Sequence, residues 1–142
     1  MWCYPKSSRQ KHWTECDPKA ATYLGYLRTH DMKIVLESAV EAGIIPKRQI
    51  QNVVAEYRRF LALHLEHPKA NIPAGGMVDK LWHHHLLFTE NYAEMCSKVG
   101  RMIQHRPAIL DRHKSTRSVS QDSVDILYKA AFNRMRPIGL WT

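Results

Sequence analysis

The sequence predicts an all-α protein, a compact bundle of about four to five helices with irregular basic N- and C-terminal arms. Apolar residues recur with a helical period in each patterned segment, and no segment shows the sustained two-residue alternation that marks a strand. Glycine and proline fall between the patterned segments, where turns are expected. The chain has 142 residues, of which 44% are hydrophobic and 24% charged. This is enough for one domain with a buried core.

Three parts are expected along the chain. Residues 1–30 are rich in aromatic and basic side chains without a clear period, and they predict an irregular arm. Residues 31–113 form the predicted helical core domain. Residues 114–142 begin with a Ser/Thr/Arg-rich linker, followed by a short helix over about 123–135 and a tail.

The first two core helices have clear sequence boundaries. Asp31 can cap a helix that runs to about residue 42, and Gly43 then ends it. Pro46 suits the first turn of a second helix, which runs to about residue 66 and ends before Pro68. This second helix is strongly amphipathic, with His64 in the middle of its apolar arc.

Residues 77–96 also divide into an apolar and a polar half when they are treated as one helix. Thr89 could instead cap a new helix, so a break at this point is the alternative. Gly100 is the expected stop. This helix and the second one should form the core, and the side chains expected to be buried there are Phe60, Leu61, Leu81, Trp82 and Tyr92.

Positive charge is concentrated at the two ends of the chain, whose formal net charge is +8. Residues 1–30 hold five Lys/Arg and two acidic residues, and residues 101–142 hold eight and three. The middle, residues 31–100, holds eight of each and is neutral. Basic flanks favour an acidic protein partner or nucleic acid, although they also serve simply to keep a protein soluble.

The expected partners are therefore a protein assembly or nucleic acid, and a homo-oligomer is also compatible. Exposed aromatic and basic side chains of the flanks would make the contact. The candidate partner-binding residues are Trp2, Trp13, Arg112, Lys114, Arg117, Arg134, Arg136 and Trp141.

Nothing in the composition points to a membrane or an oxidising compartment. No apolar run approaches the ~20 residues of a membrane span, and the first residues lack the apolar stretch of a secretory signal. Three cysteines form no Cys-x-x-Cys pair, and their odd number argues against a disulfide framework. The expected location is the cytoplasm, or the virion if the protein is viral.

Nine histidines suggest a metal site. Asp79 and His83 are four residues apart on the predicted helix, so the carboxylate could orient the imidazole or share a metal with it. The alternative is an ordinary ion pair on a solvated face. His85 points the opposite way, into the apolar half, where it and His64 are either hydrogen-bonded core residues or a ligand pair. His105 follows the Gly100 turn, which could return the chain toward Asp79 and His83.

The metal-ligand candidates are thus Asp79, His83, His85 and His105. Imidazole and carboxylate groups suit zinc or another first-row transition metal, and the sequence does not choose among them or make any cofactor certain. The signatures of zinc proteases, serine hydrolases and phosphate-binding loops are absent. No catalytic residue is identified, and an enzymatic function is left open but not favoured.

The spacing of several residues resembles a known family. The stretch Val78-Asp79-Lys80-Leu81-Trp82-His83-His84-His85, followed by Thr89, Tyr92, Cys96, Gly100, His105 and Pro107, is similar to the glycine-rich domain-containing protein-like family, over roughly residues 46–107. The family's pattern has the form V-D-x-x-W-H-x-H, then Thr, Tyr, Cys and Gly, then H-H-x-P. Gln104 replaces the first histidine of the last motif, and the Gly-rich segment is absent.

The resemblance implies a helical module and directs attention to Asp79, Trp82, His83, His85 and His105. It implies no particular activity. Two functions therefore compete. One is a non-enzymatic binding or assembly module with basic aromatic arms, such as a virion component. The other is a metal-binding protein or metalloenzyme. The first is preferred because the charge of the flanks is evident, whereas the metal-ligand set is incomplete.

Overall fold

A computed structural model of the chain describes residues 18–105 and 120–142. The all-α fold is confirmed, and no strand occurs within these two ranges. A 3₁₀ turn at Lys47–Gln49 leads into the longest helix. The α-helices are α1 (Pro18–Thr29), α2 (Lys33–Glu41), α3 (Ile50–Glu66), α4 (Gly76–Leu86), α5 (Thr89–Val99), α6 (Gln121–Phe132) and α7 (Ile138–Trp141).

Helix α3 is the centre of the bundle, and α1, α2, α4 and α6 all pack against it. Tyr57, Phe60 and Leu61 on α3 have no solvent exposure. Leu81 and Trp82 from α4 and Tyr92 from α5 are also buried, as the sequence predicts. Within the described ranges, no helix is both long and apolar enough to cross a membrane.

Helix α1 is not foreseen by the sequence analysis, which expects an irregular arm over residues 1–30. That prediction is wrong for residues 18–29. Pro18 stands at the first helical position, where its missing N–H is tolerated. Ala20, Leu24 and Leu27 then recur at helical spacing and are buried in the core. The exposed and half-exposed tyrosines between them obscure this pattern.

The histidine-rich segment forms two helices, so treating it as one is wrong and the alternative of a break is confirmed. Leu87 and Phe88 donate their N–H groups three residues back, to the carbonyls of His84 and His85. This tightens the end of α4. Phe88 then leaves the helical region (φ −92°, ψ 70°) and is the N-cap residue of α5. Thr89 is therefore the first residue of α5 and not its cap.

The C-terminal helices cover a polar side of α3. Glu56 and Arg59 lie on the polar side of the amphipathic α3, yet both are buried and form an ion pair. Glu56 Oε1 also accepts hydrogen bonds from Tyr128 Oη on α6 (2.7 Å) and Trp141 Nε1 on α7 (3.2 Å). One carboxylate thus ties three helices together.

This packing corrects two partner-binding assignments. Trp141 is 1% exposed, and Arg136 is buried against it with a bond to Asp125 Oδ1 (2.7 Å). Neither is available to a partner in this fold. Arg134 is half-buried. The remaining candidates, Trp2, Trp13, Arg112, Lys114 and Arg117, lie outside the described residues.

Candidate metal centre

Asp79 and His83 form the first half of the site on one face of α4. Their spacing of four residues brings Asp79 Oδ2 within 3.4 Å of His83 Nδ1. Both side chains are accessible, with exposed fractions of 28% for Asp79 and 52% for His83. The carboxylate can therefore orient the imidazole or share an ion with it, as the spacing predicts.

His105 reaches this face because the chain reverses after α5. Gly100 adopts a left-handed conformation (φ 89°), and Cys96 O accepts the N–H groups of Gly100 (3.0 Å) and Arg101 (3.1 Å). A glycine is suited to this position because an L side chain would be strained there. The turn sends residues 101–105 back along the bundle.

Two further hydrogen bonds hold the returning segment. Tyr92 Oη donates to Ile103 O (2.6 Å) and accepts from Trp82 Nε1 (3.0 Å). Cys96 Sγ lies 3.5 Å from Ile103 N, which donates to it. The path of the chain just before His105 is thus fixed by side chains of α4 and α5.

His105 closes the cluster. Its Nε2 lies 2.8 Å from His83 Nε2, and its ring packs edge-on against Trp82 with centroids 4.6 Å apart. Burial lowers the pKa of His105, His83 adds to that effect, and the Asp79 carboxylate partly opposes it. One donor atom from each of Asp79, His83 and His105 lies within 4.8 Å of the other two.

His85 is not part of this cluster, although the sequence analysis includes it among the metal ligands. The residue is fully buried on the other side of α4. Tyr57 Oη lies 2.7 Å from its Nδ1, and Asn91 Oδ1 lies 2.8 Å from its Nε2. Burial lowers the pKa of His85 to about 4, so it is a neutral core residue. A hydrogen-bonded core role was one of the two alternatives.

The hydrogen bonds around His85 determine which ring nitrogen of each histidine carries the proton. Asn91 donates through Nδ2 to Asp31 O (3.0 Å), so its Oδ1 faces the imidazoles. That oxygen can only accept, and it lies 2.8 Å from Nε2 of both His30 and His85. Both rings therefore carry their proton on Nε2, and Tyr57 donates to Nδ1 of His85.

The sequence does not predict that Tyr57 and Asn91 bond to His85, or that His30 shares Asn91 with it. Asn91 falls on the polar half when residues 77–96 are drawn as one helix, and the break at Leu87 and Phe88 changes its direction. His30 precedes the predicted core domain. Only a correct position for the helix break could have pointed to Asn91.

The other two core histidines are also separate from the metal cluster. His64 packs against Phe60 (4.7 Å) and Trp82 (5.4 Å) and does not meet His85. Burial lowers the pKa of His64 to about 4. His84 is buried, with its Nε2 3.0 Å from Ser38 Oγ.

Comparison with known proteins identifies the family of the chain. No curated protein and no solved structure matches the chain. The model of the UCP032817-like family matches residues 24–134, which include α2 to α6 and all three residues of the cluster. The chain therefore belongs to the UCP032817-like family.

Proposed function

We propose that this protein binds one first-row divalent metal ion, such as zinc, through Asp79, His83 and His105. The observation that carries the proposal is the convergence of their donor atoms within 4.8 Å. They come from two separate segments, so the convergence is made by the fold. Two imidazoles and one carboxylate form a common donor set for zinc and for non-haem iron.

The distance between the two imidazole donors is close to the one that a metal requires. Two nitrogen ligands about 2.0–2.1 Å from a tetrahedral ion lie roughly 3.3 Å apart. The Nε2 atoms of His83 and His105 are 2.8 Å apart, so a small outward rotation of one exposed ring would admit the ion. No larger movement of His105 is needed, because the segment before it is fixed and its ring packs against Trp82.

Asp79 can contribute in two ways. With Nδ1 of His83 at 3.4 Å, its carboxylate can hold that ring while Nε2 faces the ion. Alternatively, Asp79 binds the ion directly as the third protein ligand. In either arrangement at least one coordination position remains for water, because the described residues supply three donors at most. A metal with an open position can polarise a bound molecule or activate water.

The competing interpretation is a hydrogen-bonded cluster without a metal. In that case one of His83 and His105 donates to the other, Asp79 orients His83, and the group locks α4 to residues 101–105. The two interpretations differ in the effect of metal on the folded protein. A metal site gains stability from its ion, whereas a hydrogen-bonded cluster is unaffected by chelators.

Cobalt(II) titration of the purified apoprotein tests the proposal. The wild type should develop d–d absorption that saturates at one cobalt per chain and is displaced by zinc. His83→Gln and His105→Gln should each weaken binding by at least about 100-fold, because loss of a ligand costs more than loss of an outer-shell partner. If the Asp79 carboxylate is a ligand, Asp79→Asn should change the cobalt d–d spectrum. If the carboxylate only orients His83, Asp79→Asn should leave the spectrum unchanged and weaken cobalt binding about 10–100-fold.

His67→Gln is the matched control, because His67 is a partly exposed histidine outside the cluster. Its cobalt affinity should equal that of the wild type. No saturable spectrum in the wild type, or equal affinities for His67→Gln and His105→Gln, would contradict a metal at this place.

An assembly role for the basic flanks remains a second proposal. Its support is the excess of five positive charges over residues 101–142, together with exposed apolar side chains at Ile126, Met135 and Ile138 in the C-terminal part of the chain. Binding to an acidic partner or nucleic acid should weaken steeply with salt, and Arg134→Gln should reduce the salt slope. Salt-independent binding would contradict it.

A further inference from the structure

A second candidate site lies away from the metal cluster. The C-terminal end of α1, helix α2 and the first half of α3 border an open groove of about 650 Å³. This volume is within the range of about 300–1,000 Å³ that is typical of small-molecule sites. The apolar side chains along the groove are Met32, Leu36, Val40 and Ile50.

Arg58 from α3 lines this groove as a partly buried cation. Its Nε is buried without a hydrogen-bond partner, and burial is the cause that lowers its pKa. In the described part of the chain, two other arginines are buried more deeply than Arg58, and both have carboxylate partners. Arg59 pairs with Glu56, and Arg136 pairs with Asp125. Arg58 has none among the described residues. A guanidinium removed from water is costly unless an anion compensates it.

The surroundings of Arg58 add positive charge. Arg28 lies on the same groove, and its pKa is lowered first by burial and then by Arg59 and Arg58. Lys47 stands at the margin. An anion at this end of the groove would relieve the mutual repulsion of the guanidinium groups.

Carboxylates also line the groove, but two of them have Lys33 as their partner and not Arg58. Asp31 Oδ1 accepts from Lys33 N (2.9 Å), and Glu37 Oε1 lies 4.0 Å from Lys33 Nζ. Glu41 is the third. None of the three forms an ion pair with Arg58 within the described residues.

His30 also lines the groove, and one of its two ring nitrogens has no hydrogen-bond partner. Its exposed fraction is 2%, and its Nε2 is bonded to Asn91. Nδ1 has no partner. Because the proton is on Nε2, Nδ1 is an acceptor that a small movement would offer to a hydroxyl or protonated acid group.

We propose that this groove binds an amphipathic organic acid. The acid group pairs with Arg58 and Arg28, and the apolar body lies against Met32, Leu36 and Ile50. A guanidinium recognises a carboxylate and a phosphate monoester in the same way, so the shared chemistry is an acid head on an apolar chain. The site includes neither Asp79, His83 nor His105 and stands independently of the metal proposal.

Titration of the ¹⁵N-labelled full chain with octanoate tests this site. Amide shifts should saturate and cluster on α2 and the first half of α3. Octan-1-ol, which has the same chain without charge, should bind at least about tenfold more weakly, because it cannot form the charge-assisted hydrogen bonds. Octyl phosphate distinguishes the source of the acid group: tighter binding of either octanoate or octyl phosphate assigns the preferred head.

Arg58→Gln should weaken octanoate binding at least about tenfold without lowering the thermal midpoint, because no intramolecular pair is lost. Arg48→Gln is the matched control, since Arg48 is exposed and does not line the groove. Leu36→Trp should block binding by filling the groove. Absence of saturable shifts with octanoate and octyl phosphate, equal binding of octan-1-ol, or equal effects of Arg58→Gln and Arg48→Gln would overturn the proposal.

Discussion

Replacement of Trp82 by alanine tests how the core supports the candidate metal centre. The indole is 4% exposed and packs against Phe60 (4.9 Å), His64 (5.4 Å) and His105 (4.6 Å). Its Nε1 donates to Tyr92 Oη, which in turn holds Ile103. Alanine would remove both the packing and the hydrogen bond in one step.

The expected loss of stability is large but tolerable. Truncation of a buried Trp to Ala costs about 3–5 kcal/mol. A chain of 142 residues has a typical unfolding free energy of about 7–20 kcal/mol at 0.05–0.15 kcal/mol per residue. Most molecules should therefore remain folded. His105 would lose the ring that limits its rotation, so cobalt affinity should fall as well.

Urea unfolding followed by circular dichroism at 222 nm measures the change in free energy. Trp82→Phe should cost less than alanine, because it keeps ring packing and loses only the hydrogen bond to Tyr92 and part of the volume. Leu87→Ala is the control, since Leu87 lies just after the same helix and is 76% exposed. It should cost less than about 0.5 kcal/mol. A loss below about 1 kcal/mol for Trp82→Ala would refute the packing argument.

Two further predictions concern buried ionisable groups. Glu56→Ala should lower the free energy of unfolding in urea by about 3–5 kcal/mol, because it leaves Arg59 buried without its counter-ion. The double variant Glu56→Leu/Arg59→Met should recover most of that loss. Equal losses for the single and the double variant would contradict the ion pair. Burial lowers the pKa of His64 to about 4 in the folded state, below the ordinary value of about 6.5. Above about pH 6.5 the imidazole is neutral in both the folded and the unfolded state. As pH falls toward 4, the unfolded chain binds the proton and the folded protein does not, so the unfolding free energy falls by about 3 kcal/mol. His64→Asn should flatten the fall in unfolding free energy between pH 7 and 4, and an unchanged slope would show that His64 is not buried in neutral form.

The helical spacing of the apolar residues, and the glycine and proline residues between the helices, predict the all-α class. The same signals predict α2, α3 and the buried aromatic residues. These signals are local, so they can be read without tertiary information. The missed helix α1 also has a local signal in Ala20, Leu24 and Leu27, but α1 is recognisable only when Tyr23 and Tyr26 are allowed to lie on its more exposed side. The burial of Glu56 has no local signal, because α6 and α7 approach α3 from far along the sequence.

At the candidate metal centre, too, the sequence predicts the local contact but not the contact between distant segments. The pairing of Asp79 with His83 follows directly from helical spacing. The arrival of His105 depends on the Gly100 turn and on the bond from Tyr92 to Ile103, and the sequence indicates only the turn. The motif alone predicts His85 as a ligand, whereas the partners that make it a core residue depend on the break between α4 and α5.

The most direct test of the central claim is anomalous diffraction at the zinc absorption edge, from crystals of the full chain grown with zinc. A metal held by the cluster should give one strong peak per chain about 2.0–2.2 Å from Nε2 of both His83 and His105. It should be absent from His105→Gln crystals grown in the same way. An electron-density map in which His83 and His105 remain hydrogen-bonded to each other, with no anomalous peak between them, would contradict it.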